Sequence, residues 1–94
     1  GEVNFWLPLT SLAETRTTLW VESAPGADDF KPLEADLGRC GVFHGTLCRH
    51  YVPPNASSKT RVSLDFRIGV EGCCDPRWVL RGTLGDHHRR EIVL

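Results

Sequence analysis

The chain has 94 residues, of which 40% are hydrophobic and 24% charged, with a formal net charge of −1. That length allows one domain, of the ~100–150 residues a single core usually takes, and the composition excludes a disordered tail or a fibrous repeat. The charge balance excludes a general nucleic-acid binder, and no apolar run nears the ~20 residues of a membrane helix.

Taken in chain order, helical periodicity is poor while two-residue alternation and turn signals recur. Val3, Phe5 and Leu7 alternate with Asn4 and Trp6, and Pro8 closes this first strand. Residues 17–22 read as a second strand, ended at 24–29 by Pro-Gly followed by Asp-Asp, which is strong turn chemistry. Residues 30–33 form a short edge strand, since Pro32 lacks an amide donor. Residues 39–43 and 47–52 are expected to pair with each other across His44-Gly45-Thr46, and 53–58 form a loop. The cleanest strand is 61–68. Beyond Gly69 the pattern weakens, with strands expected at 78–80 and 91–94 and a turn at 86–90.

Period-two geometry splits the strand at 61–68 into opposite faces. Arg61, Ser63, Asp65 and Arg67 share one, and Val62, Leu64, Phe66 and Ile68 the other. If the polar set faces inward, the apolar set is left outside and demands a cover. A homodimer, with Val62, Leu64, Phe66 and Ile68 at its interface, is the expected consequence.

Charge is uneven along the chain. Residues 1–47 hold seven acids and three bases, and residues 48–94 hold five acids and eight bases, so the halves are expected to attract each other. Cys40, Cys48, Cys73 and Cys74 show no zinc spacing. The first residues show no basic segment followed by an apolar stretch, so no secretory signal is expected. Reduced thiols and a cytoplasmic location follow as expectations.

Chemistry concentrates at His50, followed after ten residues by Arg61 and then by Ser63. Imidazole suits ferrous iron, and a guanidinium fork with a nearby hydroxyl suits a carboxylate. This spacing resembles the C-terminal half of the site in Fe(II)/2-oxoglutarate-dependent oxygenases. The segments 4–10, 19–26 and 47–55 are similar, in the same order, to the phytanoyl-CoA dioxygenase-like group and its streptomycin-biosynthesis-type relatives. The resemblance covers residues 2–68 and leaves 69–94 as a divergent extension. It implies a double-stranded β-helix, a jelly-roll barrel of the cupin kind. It also implies that His50 corresponds to an iron ligand, and that Arg61 and Ser63 hold the distant carboxylate of 2-oxoglutarate.

The family's His-x-Asp or His-x-Glu pair, expected upstream of Asn4, occurs nowhere in the sequence. The expected product is therefore an incomplete all-β barrel, a truncated relative that is catalytically silent alone and retains a small-carboxylate pocket. Two alternatives stand beside it. One is an active iron-dependent oxygenase completed by another chain or by His44, His87 or His88. The other is a structural or protein-interaction β-module without a small-molecule site. No site role is assigned to Asn4 or Glu22, and His44 reads as a turn residue.

Overall fold

A computed structural model describes residues 2–45 and 47–72. The expected strands at 78–80 and 91–94, the turn at 86–90, and Cys73, Cys74, His87 and His88 lie outside the described residues. Within them the elements are β1 (Glu2–Pro8), α1 (Leu12–Thr15), β2 (Trp20–Val21), β3 (Lys31–Pro32), β4 (Gly41–Phe43), β5 (His50–Tyr51) and β6 (Ser63–Gly69). They form two three-stranded antiparallel sheets, ordered β4-β1-β6 and β3-β2-β5. The described chain is thus all-β apart from one helical turn.

The longest ladder joins β1 to β6, from Glu2 opposite Gly69 to Pro8 opposite Ser63. Directly opposed residues of an antiparallel pair share a face. Asn4, Trp6 and Pro8 therefore project with Arg67, Asp65 and Ser63, and also with Phe43 and Gly41 of β4. This face is the buried one. Val3, Phe5 and Leu7 project the other way with Ile68, Phe66 and Leu64, as the alternation in 61–68 requires once its polar set turns inward.

The core cluster of Trp6, Leu19, Val21, Ala35, Phe43 and Cys48 draws on both sheets, with Leu33 and Val52 packed against it. Bare Gly41 lets Leu33 and Ala35 sit where a Cβ would project. Two buried threonines satisfy themselves across the chain: Thr17 donates to the Pro53 carbonyl at 3.1 Å and Thr18 to that of Leu33 at 3.3 Å. β2 itself is shorter than the stretch expected at 17–22, spanning Trp20–Val21. The Pro-Gly turn forms as read, with Gly26 at φ +73° and the Ala27 N–H bonded to the Ala24 carbonyl at 3.1 Å. That dihedral at the third turn position suits glycine.

Two elements differ from expectation. The stretches 39–43 and 47–52 do not pair with each other: β4 adds to β1, and β5 adds to β2. The His44 carbonyl accepts the N–H groups of Leu47 and Cys48, at 3.0 and 2.8 Å, which closes a local turn there instead of starting a ladder. Glu22 then holds the next residue, its N–H bonding the Arg49 carbonyl at 3.1 Å and its carboxylate accepting the Arg49 N–H at 2.8 Å. The second difference is α1. The Ser11 side chain makes no cap. Asp36, distant in sequence, accepts the Leu12 N–H at 2.7 Å and does that work.

Gly45 lies against the inner face. An added Cβ would stand 2.7 Å from the Phe43 ring and 2.8 Å from Asn4 Cγ. Both neighbours are buried, so neither retreats easily. Gly45→Ala is expected to cost about 1–3 kcal/mol as overpacking, read from urea midpoints. A loss under about 0.5 kcal/mol, the range of ordinary surface changes, would show that the loop simply moves aside.

Candidate functional site

Arg61 immediately precedes β6, and Ser63 opens it. The Arg61 Nη1 donates to Ser63 Oγ at 2.7 Å, and its guanidinium carbon lies 5.8 Å from the centroid of the Trp6 ring. The indole platform and the hydroxyl restrict the fork, a cation–π arrangement. Arg61 could instead have paired with Asp65 along the same face. No ion pair among the described residues joins them, and Asp65 accepts from Asn4 Nδ2 at 3.4 Å. The Arg61 charge therefore has no carboxylate partner among the described residues. An open groove of about 540 Å3 runs beside it, along Val52, Pro53, Lys59 and Thr60.

His50 lies on β5, in the other sheet. Its Nδ1 is 3.1 Å from the Cys48 carbonyl oxygen, and its ring meets that of Phe43 edge-on at 5.1 Å. A neutral ring donating from Nδ1 leaves Nε2 as an acceptor. Phe43 and Trp6 project from the same inner face, so His50 and Arg61 rest against side chains that are diagonal neighbours, ~7–8 Å apart at this offset. The sheet brings Arg61 and Ser63 into direct contact. It relates His50 to them only through the two aromatic rings.

Asn4 is 1% exposed, and its Oδ1 is buried without a hydrogen-bond partner. It packs beside Gly45. Ferrous iron in this class of site takes two imidazoles and a carboxylate. Among the described residues no three of His, Cys, Asp and Glu converge to hold a metal. The described donors around His50 do not by themselves complete such a site. The guanidinium and hydroxyl do fit a small carboxylate.

A second constellation was only half legible in sequence. Glu22 is 3% exposed. Its Oε1 accepts from Asp28 N–H at 3.0 Å and from Arg49 Nε and Nη2 at 3.0 and 2.6 Å. The Arg49 guanidinium also contacts Asp28 at 3.1 Å and stands 5.6 Å from the Phe30 centroid. Hydrogen bonds from the Arg49 side chain, foremost, hold the Glu22 carboxyl down at about 2. The signal was the charge asymmetry. Every ion pair among the described residues joins a base of the second half to an acid of the first: Arg49 to Glu22 and Asp28, and Arg67 to Glu2. His44, by contrast, occupies the turn expected of it, and Cys40 and Cys48 are free thiols. No described helix is long and apolar enough to cross a membrane.

A pair of small antiparallel sheets, with the Arg61 guanidinium bonded to Ser63 beside the Trp6 ring, is what these elements define. No protein-family profile and no solved structure matches the chain. It is similar to the streptomycin biosynthesis protein StrG of Streptomyces griseus, with 39% identity over 76 residues. The match takes in 81% of this chain and 34% of that protein, so the chain spans about a third of its relative's length.

Proposed function

We propose that this chain is part of an Fe(II)/2-oxoglutarate-oxygenase-like barrel of the phytanoyl-CoA dioxygenase type, and that it binds a small carboxylate through Arg61 and Ser63. Its two sheets are then the facing walls of an incomplete double-stranded β-helix. The observation that carries the reading is the Arg61 fork, set by Ser63 at 2.7 Å and by the Trp6 ring, with no acid paired to it among the described residues. The likeness to StrG, a streptomycin biosynthesis protein, supports a place in biosynthetic chemistry. Arg61 supplies a bidentate, charge-assisted grip, and the Ser63 hydroxyl a further hydrogen bond to the same anion. On this reading the described residues, with no carboxylate converging on His50, do not by themselves complete an iron site.

The test is calorimetric titration with 2-oxoglutarate and succinate. Wild type is expected to bind, and Arg61→Ala to bind at least tenfold more weakly, since a hydrogen bond to a charged group contributes about 1.5–3 kcal/mol. Arg61→Lys should fall between them because it keeps the charge and loses the fork. Equal binding by wild type and Arg61→Ala, or none by wild type, overturns the assignment.

A further inference from the structure

The outward face of the β4-β1-β6 sheet carries no charge along the β1/β6 ladder. Three apolar pairs follow one another across it: Val3 with Ile68, Phe5 with Phe66, and Leu7 with Leu64. The backbone bond from Leu9 N–H to the Val62 carbonyl, at 2.9 Å, extends the ladder by one more apolar pair. Val42 of β4 lies opposite Phe5 on the other side. Leu64, Phe66 and Ile68 remain 52%, 46% and 49% exposed, and Val42 55%. The Phe5 and Phe66 rings stack at 5.3 Å with only 9° between their planes, presenting a flat aromatic centre.

We infer that this face is the docking surface for a second copy of the same chain, the two sheets packing face to face about a twofold axis. Two features favour that occupant. The three β1/β6 strand pairs read aliphatic–aromatic–aliphatic in either direction, so a copy turned about a twofold through the Phe5–Phe66 centre sets aliphatic pairs against aliphatic pairs. A face without charge selects a partner surface equally without charge, and the identical face of another copy is one. Size decides the strength. With six exposed apolar side chains on the face, Leu9, Val42, Val62, Leu64, Phe66 and Ile68, at roughly 75–100 Å2 each, two copies bury on the order of 1,000 Å2, about the size that a specific interface has to clear. Such an interface forms dimers that dissociate on dilution.

Sedimentation velocity of the full chain from 1 to 200 μM tests this. Wild type is expected to pass from monomer to dimer within that range. Phe66→Glu and Leu64→Lys should each stay monomeric throughout, with a wild-type far-ultraviolet circular dichroism spectrum. A mixture of Leu64→Glu with Ile68→Lys chains should recover the dimer, because reversal about the twofold sets Leu64 of one copy against Ile68 of the other, and this guards against a variant that merely unfolds. A wild-type monomer at 200 μM means that something other than a second copy covers this face, and overturns the inference. So does a dimer that survives both Phe66→Glu and Leu64→Lys.

Discussion

Trp6→Ala is expected to remove about 3–5 kcal/mol of stability, the usual cost of truncating a buried large aromatic residue. Trp6 is 3% exposed and sits mid-strand in β1, opposite Gly41 of β4 and Asp65 of β6. The indole fills the space between the sheets, and alanine leaves a cavity that the flanking ladders prevent from collapsing. Against a typical total of 5–15 kcal/mol, such a loss leaves a substantial unfolded population. The same change withdraws the platform beneath the Arg61 guanidinium, so the proposed carboxylate binding should weaken even in the fraction that stays folded. Trp6→Phe separates the two effects. It keeps an aromatic surface and should retain most of the stability. Urea midpoints with near-ultraviolet circular dichroism provide the measurement. A loss under about 1 kcal/mol for Trp6→Ala, well below the range for core aromatics, would show that the indole is not part of the core.

Glu22 governs the second large effect, which depends on pH. Its carboxylate collects four hydrogen bonds, three from Arg49 and one from the Asp28 amide. These lower its pKa from the ordinary 4.5 to about 2. A group whose pKa is depressed by folding stabilises the fold above its unfolded value and loses that contribution as pH falls through its folded value. The Glu22 contribution is therefore complete above pH 4.5 and is lost towards pH 2. Asp29, bonded by Ser23, and Asp36, bonded by the Leu12 and Leu37 amides, are lowered in the same direction and add to the slope. Glu22→Gln should be much less stable than wild type at pH 7, because glutamine cannot accept the charged fork and the four donors together. The gap between the two proteins should narrow steadily from pH 4.5 to pH 2. Midpoints measured at pH 7, 5, 3 and 2 that stay parallel would remove Glu22 from the account.

The network around Glu22 also explains how the turn and the second sheet are joined. Asp28 adopts φ +56° so that its amide meets the carboxylate, and left-handed backbone is more accessible to aspartate than to most residues. Arg49 bridges from the strand connection to both acids. In the sequence these are three charged residues 6 and 21 positions apart. Nothing local marks them as one cluster.

Much of the secondary structure was legible in the residues themselves. Strict alternation over 61–68 announced a two-faced strand, Pro25-Gly26 announced the turn after β2, and Pro32 marked β3 as an edge. The spacing of Arg61 and Ser63 placed them on one face, and Arg61 does meet Ser63. The charges of the two halves announced their attraction. These signals are local, or additive along the chain, and need no knowledge of the partner strand.

Only the tertiary structure decided which strands pair and which faces turn inward. Backbone hydrogen bonds are the same for any partner, so the stretches 39–43 and 47–52 could look like a hairpin and yet join different sheets. Alternation in β1 gives a period but not a side. Residue type would put Val3, Phe5 and Leu7 inside, whereas pairing with β4 and β6 buries Asn4 and Trp6 and turns Val3, Phe5 and Leu7 to the other face. The cap on α1 comes from Asp36, far along the chain. In each case the deciding energy belongs to groups that meet only after the chain has folded.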